Sequence, residues 1–315
     1  MTRTFRSVFC VALLLAVAAS GREASAECYQ GPYHYGRVIE SAAMPSKVLG
    51  QDVLYTVYLP PDYDSSRREY PVLYLLHGQA GSDSVWMHYG EINRIMDKGI
   101  AEGRFTPMIV VMPDGRRNEA NAVSTYFMDD ADGTFRWEEM FNSEFIPFFE
   151  KEYRVRNVAP FRAVGGLSMG GYGALMLALQ DPAKYSAVVA LSAALFTADQ
   201  IREQDQKAFD IRYGSAYGSA GKAGADRLTD LFRKKHPLET MKTANIEALK
   251  KIDYFIDCGA EDGLNLDIGN FELHRYFKEK GVKHTFLIRT GVHNWKYWRE
   301  GIDLGLEFVT SVFHR

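Results

Sequence analysis

The chain has 315 residues, 46% hydrophobic and 24% charged, with a formal net charge of −3 at pH 7. That balance is ordinary for a folded globular chain and excludes a disordered or collagen-like one, and the weakly acidic charge offers nucleic acid no electrostatic handle. The eight histidines are scattered, and no HExxH or CxxC pattern marks a metal site, so neither a metal nor another cofactor is expected.

At the N-terminus Arg3 and Arg6 precede an apolar run from Val8 to Ala19, and "ASA" follows at Ala24 to Ala26. A basic start, a short apolar core and small residues before a cut describe a secretory signal peptide. Residues 1–26 are therefore expected to be removed near Ala26, leaving 27–315 as one folded domain in the periplasm or outside the cell. A retained anchor is the alternative, but twelve apolar residues are too few to span a bilayer, and no later stretch is long enough. Cys28 and Cys258 remain after cleavage. An oxidising compartment permits a disulfide between them, whereas the apolar surroundings of Cys258 suit a buried free thiol.

Along the rest of the chain, strand-like runs alternate with helical ones. "VLYTVYLP" (Val53 to Pro60) alternates in polarity, while "PVLYLLHG" (Pro71 to Gly78) and "PMIVVMPDG" (Pro107 to Gly115) are nearly all apolar, as strands covered on both faces should be. "FRAVGG" (Phe161 to Gly166), "YSAVVALSAAL" (Tyr185 to Leu195), "DYFIDCGAED" (Asp253 to Asp262) and "HTFLIRTGVH" (His284 to His293) continue the series. Helical stretches are expected at Glu91 to Glu102, Trp137 to Tyr153, Gly170 to Leu179, Asn270 to Lys280 and Trp298 to Phe313. This rhythm implies βαβ units: a mostly parallel sheet with helices on both faces. From Thr197 to Asn245 the rhythm breaks into a polar, helix-flavoured insertion. It reads either as a cap above a site or as a solvated surface excursion.

Open parallel sheets gather functional groups at the carboxyl ends of their strands. Ser168 sits there, inside Gly166-Leu167-Ser168-Met169-Gly170, a G-x-S-x-G pattern between a strand and a helix. Such a turn holds a serine in a strained conformation with its hydroxyl exposed, and it needs small neighbours. A serine becomes a nucleophile only when a base takes its proton. His293 has the best setting of the eight histidines, after the last strand and before the last helix; His77 also ends a strand but lies upstream of the serine. The imidazole in turn needs a carboxylate. Asp262, just past the strand ending in Cys258, is the candidate, with Glu261 as its neighbouring competitor and Asp257 deeper in the strand. The oxyanion of an acyl-transfer intermediate needs two N–H donors. Met169, the residue after the serine, supplies one, and Gln79, in the loop "LLHGQAG" after an early strand, is the candidate for the other.

These segments resemble a known family. "YPVLYLLHGQAGSDSVW", "PMIVVMPDG", "YRVRNVAPFRAVGGLSMGGYGALMLAL", "CGAEDGLN" and "GVHNWKYWREGI" are similar, in order, to the esterase D-like α/β-hydrolases. That group includes S-formylglutathione hydrolases, tributyrin-type esterases, mycolyltransferases, and the feruloyl and acetyl xylan esterases of carbohydrate esterase family 1. The resemblance implies the α/β-hydrolase fold, with Ser168 as nucleophile, His293 as base, Asp262 as acid, and Gln79 with Met169 at the oxyanion hole. It further implies an exported serine carboxylesterase acting on short acyl or feruloyl esters of a saccharide, with acyl transfer to a sugar hydroxyl or a non-catalytic binding protein as alternatives. Trp86, Tyr126, Trp295 and Trp298 are candidates for an aromatic substrate pocket, a role in which core packing competes with them.

Overall fold

The computed structural model describes residues 34–314, so the expected leader and Cys28 lie outside the described residues. Eight strands form one sheet in the order β1-β2-β4-β3-β5-β6-β7-β8. They are β1 Arg37–Ser46, β2 Gln51–Leu59, β3 Val72–Leu76, β4 Ile109–Pro113, β5 Arg162–Leu167, β6 Ala187–Leu191, β7 Asp253–Gly259 and β8 His284–Arg289. β2 runs antiparallel to both neighbours, and every other pairing is parallel. With helices on both faces this is the α/β-hydrolase fold, and each strand-like run of the sequence from Val53 onward carries one strand.

β1 is the strand that the sequence does not announce. "RVIESAAMPS" has no continuous apolar run, because half the residues of this edge strand are exposed, and its register slips between Ile39 and Ala42. At the irregularity Ser41 has φ 49° and its N–H donates to Thr56 Oγ1 at 3.2 Å.

The central strands bury every residue. Their side chains still alternate, and two cores result. Leu73 and Leu75 pack with Met96, Ile302 and Leu306, beneath the helices Ile92–Ala101 and Trp295–Phe313. Val72, Tyr74 and Leu76 pack on the other face with Tyr172, Leu175 and Phe277, from the helices Met169–Gln180 and Leu266–Lys280. Met169–Gln180 is apolar all round because it is buried all round. The helix expected from Trp137 to Tyr153 contains a π-helical turn at Phe141–Phe145. Pro147 has no N–H to give the Ser143 carbonyl, and the ladder widens just before it.

The insertion at 197–245 is a succession of short helices, the first opened by a capping box between Thr197 and Gln200. It packs beside Met169–Gln180: Tyr217 and Tyr172 share a hydroxyl hydrogen bond of 2.8 Å, and the Tyr213 ring stacks on Tyr217 at 5.0 Å. Cys258 is a buried free thiol, and burial pushes its pKa up. No helix among the described residues is long and apolar enough to cross a membrane.

Candidate active site

Ser168 occupies the turn between β5 and the helix Met169–Gln180, with φ 53° and ψ −115°. Left-handed φ on a residue with a Cβ costs on the order of 1–3 kcal/mol and persists only where the surroundings enforce it. Here Ser168 N–H donates to Leu191 O at 2.8 Å, and Ser168 O accepts from Tyr172 and Ala194 N–H, each at 3.0 Å. The flanking glycines are needed for close approach. A Cβ on Gly166 would lie 2.5 Å from the Gly170 carbonyl carbon, and one on Gly170 would collide with the Leu76 carbonyl. Glycine at both positions seats the first helical turn directly on the ends of β3 and β5.

His293, four residues past β8, places Nε2 3.0 Å from Ser168 Oγ and Nδ1 2.7 Å from Asp262 Oδ2. An ionised carboxylate can only accept, so Nδ1 carries the proton and Nε2 presents a lone pair to the serine hydroxyl. Asp262 Oδ1 accepts the Leu264 N–H at 3.0 Å, which fixes the carboxylate's rotation. The Asp262 side chain is fully shielded from solvent and His293 is 20% exposed.

The two competing carboxylates point elsewhere. Glu261 encloses Gly291, two residues before His293: its N–H donates to Gly291 O at 3.0 Å, and its Oε2 accepts the Gly291 N–H at 2.5 Å. Asp257, wholly buried, accepts from Arg289 Nη2 and from Tyr297 OH, both at 2.6 Å. Both carboxylates therefore tie the strand before Asp262, or its loop, to the strand before His293, or its loop, without touching His293.

Met169 opens its helix, where first-turn N–H groups have no intrahelical acceptor and the dipole favours negative charge. Gln79 lies in the loop after β3 and faces the same cavity as Ser168. His77, buried at the end of β3, holds that loop. Its Nδ1 lies 2.7 Å from Gly78 O, and its Nε2 accepts the Gly115 N–H at 2.8 Å. Both contacts require the neutral Nδ1–H tautomer, and the carbonyl it binds belongs to the peptide unit carrying the Gln79 N–H. Asn121 Nδ2 donates to Gln79 O at 2.7 Å, bracing the next peptide. The HG dipeptide at a strand end was the available signal for His77; nothing local marks Asn121.

Ser168 and His293 open into a cavity of about 750 Å³, lined by the aromatic residues Tyr89, Trp295 and Trp298 and by the polar residues Gln79, Arg116 and Asn121 among others. Of the aromatic candidates, Trp295 and Trp298 line it. Trp86 is fully buried with Nε1 donating to Leu76 O at 3.0 Å, and Tyr126 is buried against Tyr172 and Tyr213. Neither borders the cavity, and none of the lining residues comes from 197–245. Among the described residues no group of three His, Cys, Asp or Glu side chains could hold a metal ion.

A family model described as a putative esterase matches residues 46–308. An endo-1,4-beta-xylanase/feruloyl esterase of Xylanibacter ruminicola is 30% identical over 182 residues, taking in 56% of this chain but only 24% of that protein. An acetyl esterase of Caldicellulosiruptor saccharolyticus is 25% identical over 280 residues, 85% of this chain and 96% of that one. A solved ferulic acid esterase superposes with a TM-score of 0.74 at 30% identity, covering 88% of this chain and 99% of its own. The chain spans about a quarter of the length of the first curated relatives it matches, and the family model over residues 46–308 shows that it belongs to the esterase D-like family of α/β-hydrolases.

Proposed function

We propose that the protein is an exported serine esterase that removes short acyl or feruloyl groups from plant polysaccharides or oligosaccharides. The observation that carries this reading is the unbroken chain from Asp262 through His293 to Ser168, opening into a cavity lined by both aromatic and polar residues. His293 Nε2 takes the Ser168 proton as Oγ adds to the ester carbonyl, and the resulting oxyanion receives the Gln79 and Met169 N–H groups. Collapse expels the alcohol, which takes that proton from His293 and leaves an ester on Ser168. Water, deprotonated by the same imidazole, then adds to this acyl-enzyme; its collapse frees the acid and returns the proton to Ser168. Asp262 keeps the imidazole in the Nδ1–H tautomer and stabilises its cationic form throughout.

The feruloyl and acetyl groups named in the two relatives suggest the acyl classes, and the leader at residues 1–26 suggests export to where such polymers lie. Purified protein assayed on p-nitrophenyl acetate, p-nitrophenyl butyrate, methyl ferulate and acetylated xylan tests the reading. Turnover of at least one saccharide or feruloyl ester, lost in Ser168→Ala, is expected. Activity confined to simple p-nitrophenyl esters would refute the proposed substrate class.

A further inference from the structure

The chemistry of the cavity walls bears on which alcohol leaves, an inference that rests on the esterase reading above. Tyr89 is 58% exposed. Its ring stacks on Trp295 with centroids 5.9 Å apart and planes 25° apart. Trp295 meets Trp298 edge-on at 5.3 Å, and Trp298 meets the His293 imidazole edge-on at 4.8 Å. A ladder of aromatic rings therefore runs from the base to open solvent. Its outermost rung is held in place, since Arg299 Nη1 donates to Tyr89 O at 2.8 Å and the ring itself rests on Trp295.

A flat apolar face held rigid and left facing water at a cavity mouth marks a binding surface rather than core packing. The same cavity is also lined by hydrogen-bonding groups from Gln79, Ser82 and Asn121. A sugar ring matches that mixed lining: its C–H face can lie on an aromatic ring while its hydroxyl rim meets donors and acceptors. The leaving alcohol takes its proton from His293, so it occupies the side of the cavity beside the imidazole, where the ladder starts. A polymeric alcohol must also continue into solvent, whereas a short acyl group can end inside.

We infer that Tyr89, backed by Trp295, is the stacking platform for the sugar on the leaving-group side, and that it makes the enzyme prefer esters of glycosyl hydroxyls to esters of simple alcohols. The full chain is assayed on a feruloylated arabinoxylo-oligosaccharide and on methyl ferulate, which share the acyl group and differ in the alcohol. The readout is the ratio of kcat/KM for the sugar ester to that for the methyl ester. Tyr89→Ala is expected to lower the ratio roughly three- to tenfold, the scale of one lost aromatic stacking contact, mainly through KM. Tyr89→Phe, which keeps the ring, is expected to hold the ratio within about twofold of the parent by the same reasoning. A ratio unchanged in Tyr89→Ala, whether both rates fall together or neither moves, overturns the platform while leaving the esterase reading intact. Where the parent turns over neither feruloyl ester, the same ratio is read on an acetylated xylo-oligosaccharide against ethyl acetate, and a parent inactive on all four esters overturns the platform and the esterase reading together.

Discussion

Replacing Asp262 by Asn isolates what the buried carboxylate does. The variant changes one oxygen to NH2, and two neighbours compete for the remaining oxygen: the Leu264 N–H at Oδ1 and the His293 Nδ1–H at Oδ2. A backbone N–H cannot change its polarity, and facing this part-buried one with NH2 sets donor against donor, at a cost of up to about 1–3 kcal/mol. An imidazole can instead move its proton to the other nitrogen. The amide oxygen is therefore expected to turn to Leu264 and its NH2 to His293, which places the imidazole proton on Nε2. That nitrogen, 3.0 Å from Ser168 Oγ, then donates and can no longer accept the serine proton. The same tautomer error lowers kcat on the order of 10⁴-fold in a serine protease, or about 5 kcal/mol of barrier. Glu261→Gln keeps an oxygen for the Gly291 N–H and is expected to stay within about tenfold of the parent. The assay is kcat on methyl ferulate for both variants, with thermal melts to establish that each is folded. If Glu261→Gln proves the more damaging of two folded variants, or Asp262→Asn keeps more than about a tenth of parental kcat, the tautomer argument fails.

Ser168→Ala is expected to fold, to show no turnover and to resist a fluorophosphonate probe that labels the parent; labelling that persists in the variant points to a different nucleophile. His77→Leu removes the donor to Gly78 O and strands the Gly115 N–H, so kcat is expected to fall about 10²-fold as the Gln79 N–H loses its aim; a folded variant with parental kcat contradicts that role. The His236 imidazole is buried, and burial with repulsion from Lys242 lowers its pKa to about 3. Unfolded, it titrates near 6.5, so acid protonates the unfolded chain first. Its contribution to stability is complete above about pH 6.5 and is lost as pH falls toward 3, by about 2 kcal/mol at pH 5. Urea melts at pH 7.5 and 5 are expected to show a smaller acid loss in His236→Phe than in the parent, and an equal loss in both refutes the assignment.

The strands β2 to β8 could be read from the sequence because each is a compact apolar run between turn residues, and a strand covered on both faces has no polar side to disguise it. β1 could not, since half of its side chains face water. Ser168, Asp262 and His293 could be picked out because each follows the carboxyl end of a strand within two residues of a glycine, a position visible in one dimension. Trp86 and Trp295 look alike in sequence, yet one lies under the β3 loop and the other at the cavity wall. Their difference depends on how Val85–His88 and the C-terminal helix meet, which no local pattern carries. The role of His77 was hidden for the same reason: its second partner, Gly115, comes from the loop after β4.

The loops of the site are held by different means, and position in the sheet explains why. Ser168 follows β5, a central strand buried at every residue, so packing and the backbone hydrogen bonds of the buried turn restrain it. His293 follows β8, the outermost strand, whose residues are partly exposed throughout. Elements with few buried contacts open at low cost in free energy, and a base that wanders by an ångström loses much of its effect. At this edge directional contacts take the place of burial. Asp257 binds Arg289 and Tyr297, the Tyr297 ring lies against Gly291, and Glu261 grips Gly291 from the side of Asp262. A Cβ on Gly259 would collide with the Gly291 carbonyl, and one on Gly291 with the Tyr297 ring, so glycine at both lets the two loops and the ring close together. The two carboxylates that compete with Asp262 in the sequence thus have a physical reason to be there: Asp262 and His293 follow adjacent strands at the thin edge of the sheet, and their spacing depends on what ties those strands together.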